Sequence, residues 1–285
     1  MRTFITIVLI LVTLLLVMAA VFYQRYFKVG DYQHQGTLAA APSKSLVEEG
    51  DWLSLFDGES LSGWTPKIVG REAGDNYLDT FRVEDGAITV SYDNYTGWNG
   101  EFGHLFYDAP YSDYLLQLEY RFIGDQIAEG SAMAWAWRNS GVMIHSESPD
   151  SMTLEQSFPV SLEAQLLGAP ENERRTTGNL CTPGTHVEIH GELHTQHCVN
   201  ALVDGIVGDD WVRVELEVRG NDVIRHFING ELAIEYRKPQ LDSWGGDGKR
   251  LLDAGAEAAV SSGFIALQSE SHPVQFRNIR LLPLN

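Results

Sequence analysis

The sequence predicts an all-β domain, a sandwich of two antiparallel sheets, preceded by one hydrophobic N-terminal helix. Short segments alternate apolar and polar residues, and Gly, Asn and Asp turns separate them. Beyond residue 50 no long amphipathic pattern appears that could serve as a βαβ crossover.

The stretch from Phe4 to Phe22 carries no charge and has the length of a bilayer-spanning helix, roughly 17 to 25 residues. Such a run exceeds the apolar core of a signal peptide, roughly 7 to 15 residues, which favours an uncleaved anchor. The competing signal peptide has candidate cleavage sites at Val17-Met18-Ala19 and Ala39-Ala40-Ala41. Arg2 precedes the run and Arg25 and Lys28 follow it, so flanking charge does not orient it. Residues 1–27 are therefore an anchor or signal segment. Residues 28–50, polar and aperiodic, are a linker, and residues 51–285 form one domain. The expected location is the cell envelope, with the domain in the periplasm or outside; secretion after signal cleavage is the alternative.

Within the domain, Tyr114 to Ile123 reads as a strand. Trp211 to Arg219 alternates cleanly, placing Val212, Val214, Leu216 and Val218 on one face. Val223 to Ile228 and Glu231 to Tyr236 flank Asn229-Gly230, a strong two-residue hairpin signal. Gly263 to Gln268 and Val274 to Leu282 make a final pair.

A net charge of −19, from 39 acidic and 20 basic residues, excludes nucleic acid as a partner, because phosphate binding requires clustered Lys and Arg. Cys181 and Cys198 are the two cysteines; outside the cytoplasm they could form a disulfide, and two buried thiols are the alternative.

Six phrases, taken together in order and spacing, resemble the 3-keto-disaccharide hydrolase family, also described as 3-keto-glucoside lyase and 3-keto-2-hydroxyglucal hydratase. They are LFDGESLSGW (Leu55 to Trp64), FRVEDGAITV (Phe81 to Val90), NSGVMIHSE (Asn139 to Glu147), LEAQLL (Leu162 to Leu167), HFINGELA (His226 to Ala233) and GFIALQSESHPVQFRNIRLLPL (Gly263 to Leu284). The resemblance spans essentially residues 51–285. It implies a concanavalin-like jelly roll with a carbohydrate site on its concave sheet, an oligosaccharide or glycoside substrate, and cleavage of 3-keto-glycosides by elimination or hydration. A non-catalytic, lectin-like module anchored at the envelope is the alternative. The chemistry calls for no organic cofactor, only a base, a group that stabilises the enolate oxygen, and an acid.

Glu163 and Gln165 stand at period two on a predicted strand and share a face, which makes Glu163 the candidate base and Gln165 a candidate oxygen-binding amide. The resemblance implies an Asp after such a pair, where this chain has Gly168. His145 falls where relatives carry Arg, and an imidazole could act as base or acid there. Gln268, Glu270 and His272 alternate in LQSESH and are candidate substrate-binding groups. Trp98, Trp135 and Trp137 are candidate sugar platforms. Trp98 is preferred, because with His104 it lies in a Gly-rich stretch that reads as an exposed loop. His186, His190 and Glu188 are the candidates for a divalent metal, although their spacing fits no standard zinc pattern. Arg277 reads as structural, paired with a carboxylate.

Overall fold

The computed structural model describes residues 30–31 and 50–284. The hydrophobic segment and most of the linker lie outside the described residues. Among the described residues, no helix is long and apolar enough to cross a membrane.

The strands in chain order are β1 Gly30–Asp31, β2 Leu53–Ser54, β3 Trp64–Ile68, β4 Phe81–Glu84, β5 Ala87–Val90, β6 Gly103–Tyr107, β7 Asp113–Phe122, β8 Asn139–Ser146 and β9 Leu162–Leu167. They continue with β10 Asn179–Cys181, β11 Thr185–Ile189, β12 Glu192–His194, β13 Cys198–Asn200, β14 Val212–Arg219, β15 Val223–Ile228, β16 Glu231–Leu241, β17 Phe264–Ser269 and β18 Val274–Pro283. One short helix, α1 (Gly246–Asp253), follows β16.

These strands form two sheets. One runs β1-β13-β10-β9-β8-β17-β6-β3; the other runs β12-β11-β16-β15-β14-β7-β18-β5-β4, with β2 beside β18. All pairs are antiparallel except β1 with β13, where Gly30 and Asp31 of the expected linker add a parallel edge strand.

The core lies between the sheets. Leu105, Val142, Ile144, Leu162, Ala164, Leu166 and Leu267 enter it from the first sheet, and Leu116, Leu118, Val214, Leu216, Val218 and Phe276 from the second. Period-two alternation does this, since each strand sends every other side chain inward. The valines and leucine of β14 face inward as their spacing predicts. On the opposite face of the second sheet Arg and Glu alternate, Arg277 pairing with Glu119 at 2.7 Å. His226, wholly buried, is held by contacts from Nδ1 to the Gly178 carbonyl at 3.0 Å and from Nε2 to the Tyr236 hydroxyl at 2.9 Å.

Candidate active site

The inward-facing leucines and alanine of β9 force Glu163 and Gln165 onto the outer face of the first sheet. Antiparallel register brings further polar side chains to that face. Lys67 pairs with His104, His104 with Gln268, Gly141 with Gln165, and Gln165 with Asn179. The adjacent row carries Ala266, Met143, Glu163, Cys181 and Cys198 as successive partners. Cys181 and Cys198 are joined as a disulfide beside Glu163.

The turn after β17 completes the cluster. Ser271 adopts a left-handed conformation, φ 78°, which a non-glycine residue keeps only under restraint. Its backbone N–H donates to the buried Tyr92 hydroxyl at 2.8 Å, and its hydroxyl accepts from Gln126 Nε2 at 3.0 Å. Pinned this way, the turn holds Glu270 and His272 among buried residues. The His272 ring meets the edges of Phe122 and Trp137 at 5.5 and 6.3 Å.

Glu163 is 5% exposed and Glu270 3%. Burial pushes Glu163 up to about 8, while the neighbouring Gln268 amide opposes the rise. Burial and then the Glu163 charge push Glu270 well above the carboxylate range, against the pull of Arg175. Burial and mutual repulsion thus keep protons on the two carboxyls at neutral pH. Burial, reinforced by Lys67, takes His104 down to about 3. Burial and Arg138 take His272 to about 4, with Asp209 opposing. Both imidazoles are therefore neutral, each able to donate from one nitrogen and accept at the other. Oε1 of Glu163, Oε2 of Glu270, Oδ1 of Asn139 and all four imidazole nitrogens are buried without a hydrogen-bond partner. Leaving one such group unsatisfied costs about 1–3 kcal/mol, so their concentration on one face makes it the candidate site for a polar ligand.

Gln165 is oriented by its neighbour. Asn179 Oδ1 already accepts from Thr176 Oγ1 at 2.7 Å and from the Ala201 N–H at 2.8 Å. Asn179 Nδ2 thus donates to Gln165 Oε1 at 3.0 Å, which turns the Gln165 NH2 away from Asn179 as a donor. Arg175 donates to the carbonyls of Trp137, Gly168 (3.1 Å) and Trp135 (2.9 Å), holding a cation toward Glu270.

Glu163, Gln165, Gln268, Glu270, His104 and His272 come together, and other sequence candidates do not. His104 is not on an exposed loop: it is a wholly buried residue of β6. His145 is directed elsewhere, because its φ of 47° and the register shift opposite, between Phe264 and Ala266, break the alternation of β8. Its Nε2 lies 2.9 Å from the Gly220 carbonyl, on a turn of the other sheet. Trp98 is no open platform either: it packs against the core and meets Tyr92 and Phe102 edge-on at 5.6 and 5.3 Å. The metal candidates are dispersed. Glu188 pairs with Lys238 at 2.9 Å, His186 Nε2 stands 3.2 Å from Asp242, and His190 occupies the β11–β12 turn with φ 55°. Among the described residues, no group of three or more His, Cys, Asp or Glu side chains is arranged to hold a metal ion.

Sequence reasoning missed Gly141, Asn179, Arg175 and Arg138. Only Gly141 carried a signal, a residue without a side chain inside an otherwise continuous strand. Arg138 accounts for Gly168: a Cβ there would meet the Cδ, Cβ and Cγ of Arg138 at 2.8, 2.9 and 3.3 Å. The stem of Arg138, whose guanidinium pairs with Asp209 at 2.6 Å, fills the space a side chain at 168 would take.

The fold defines the class, a two-sheet antiparallel β-sandwich domain. The chain belongs to the 3-keto-alpha-glucoside-1,2-lyase-like domain family, whose sequence profile matches residues 51–282. Comparison with curated proteins finds no match. Among solved structures, a candidate glycosyl hydrolase from Parabacteroides distasonis is 18% identical, with 82% of this chain and 100% of that one covered and a TM-score of 0.47. A second structure of that description and organism is 16% identical, covering 82% and 94%, with a TM-score of 0.46. The carbohydrate-binding module CBM66 of Bacillus subtilis is 11% identical, covering 79% and 98%, with a TM-score of 0.45.

Proposed function

We propose that this domain cleaves 3-keto-glycosides by elimination across C1 and C2 of the oxidised ring, with addition of water to the resulting double bond as a companion step. The observation that carries this is the buried Glu163–Glu270 pair, two neighbouring carboxyls that burial holds above the ordinary carboxylate range. Two adjacent carboxyls on one face can divide the roles of base and acid. A C3 ketone acidifies the C2 hydrogen. Glu163 as carboxylate takes that proton, and the electron pair passes through the C3 enolate to form the C1–C2 double bond. The C1–O bond breaks, and the departing oxygen receives the proton of Glu270. Glu163 ends protonated and Glu270 ionised, and one proton transfer resets them. The outward NH2 of Gln165 and the N–H groups of neutral His104 and His272 are donors for the enolate and hydroxyl oxygens.

The test is incubation of the full chain with a 3-keto-disaccharide and with the same sugar unoxidised, following aglycone release. Release from the keto sugar alone supports elimination; equal release from both sinks it.

One observation favours a second reading, a module that binds sugar without turnover. With both carboxyls protonated at neutral pH, the site presents neutral hydrogen-bonding groups beside the Arg175 cation. Binding of the unoxidised sugar with no release from either substrate would establish that function. We further propose that the domain works outside the cytoplasm, anchored or secreted through residues 1–27. The Cys181–Cys198 disulfide supports this, and protease accessibility on intact cells tests it.

A further inference from the structure

We infer that Trp135 is the platform on which the second ring of the substrate, the one that leaves, is stacked. This rests on the elimination reading above.

The carboxyl pair is buried, so the ring that reacts must sit deep enough to bring C1 and C2 against it. The rest of the glycoside then has to extend toward solvent. Trp135 is 48% exposed, on the 3-10 turn Ser131–Ala136. Its ring stacks on Phe102, with centroids 6.2 Å apart and planes 27° from parallel. Phe102 meets Phe158 at 5.2 Å, and Phe158 meets His104 edge-on at 5.9 Å. A row of aromatic rings therefore runs from the exposed Trp135 to the buried His104, an imidazole with both nitrogens unpaired.

The platform is coupled to the chemistry through its backbone. The Trp135 carbonyl accepts from Arg175 Nη2 at 2.9 Å, and Arg175 is the cation that lowers Glu270. A pyranose has one face of C–H groups, which packs on an aromatic ring, and an equatorial belt of hydroxyls. That combination matches a Trp surface leading to unpaired imidazole nitrogens. Trp98 cannot serve, since its neighbours press on it edge-on.

The test compares kcat/KM of the full chain for a 3-keto-disaccharide and for a methyl 3-keto-glucoside, which lacks the second ring. In Trp135→Ala the ratio of the two should fall about tenfold, through a raised KM for the disaccharide, and Trp135→Phe should restore much of it. An unchanged ratio, or equal losses on both substrates, overturns the assignment while leaving the elimination reading intact. If the wild type turns over neither substrate, the elimination reading has failed, and tryptophan fluorescence then decides the platform. Quenching by the unoxidised disaccharide that Trp135→Phe abolishes supports it; quenching that persists, or no quenching in the wild type, overturns it.

Discussion

The side chain of Glu163 lies across Gly141, in the space that a side chain at 141 would occupy. A Cβ built on Gly141 overlaps Oε1 of Glu163 and stands 2.8 and 2.9 Å from its Cγ and Cδ. The β8 strand is thus notched where the β9 carboxyl must lie flat toward Gln268. Gly141→Ala leaves the backbone conformation accessible but displaces the carboxyl. We expect a loss of turnover of at least a hundredfold and a destabilisation of about 1–3 kcal/mol, read from kcat on a 3-keto-disaccharide and from thermal melting.

Glu163→Gln should remove turnover while stabilising the fold at alkaline pH. The folded carboxyl titrates near 8, against an ordinary value of about 4.3 unfolded. Its contribution to stability is fully present below the unfolded value and is lost as pH rises through about 8. The amide escapes that loss, so Tm should rise by several degrees over wild type at pH 9 and by less at pH 5. A variant melting below wild type at pH 9 would contradict the buried-carboxyl account.

Turnover in the wild type should climb with pH through about 8, because the base must shed a proton that burial retains. A profile already flat from pH 6 to 9 would mean that Glu163 is ionised throughout.

Acid should destabilise the protein through its buried imidazoles. His104, His272 and His226 are held down at about 3, 4 and 4, while an unfolded imidazole titrates near 6.5. The stability they contribute is present above about 6.5 and is lost as pH falls through the folded values. Melting temperature should therefore drop between pH 6.5 and 4, and His272→Gln should flatten part of that slope.

Reduction of Cys181–Cys198, or the Cys181→Ser/Cys198→Ser double variant, should cost about 3 kcal/mol, the loop-closure value for a sequence separation of 17 residues. Denaturant unfolding with and without reductant measures it.

Gly168→Asp, a change toward the residue the family resemblance implies, should impair this chain. The carboxylate would enter the space of the Arg138 stem and disturb the Arg138–Asp209 pair. A melting temperature several degrees below wild type is the expected result.

What is local in this protein was legible in its sequence. Period-two spacing alone placed Glu163 and Gln165 on one side of β9 and Val212, Val214, Leu216 and Val218 together in the core, because pleating is a property of each strand by itself. The Asn229-Gly230 turn was readable for the same reason, a backbone preference held in two residues. Tertiary structure alone decided which distant segments meet. Glu270 becomes the partner of Glu163, and Arg175 becomes its counter-cation, through strand order in a sheet whose neighbours are far apart in the chain. His145 and His104 mark the boundary. A single left-handed residue and the register shift beside it turned His145 away from the face that alternation assigns. Antiparallel pairing of β6 with both β3 and β17 carried His104 from an expected loop into the candidate site. The burial that shifts the carboxyl pair is likewise a property of the assembled sandwich, since desolvation depends on everything packed around a group and not on its neighbours in sequence.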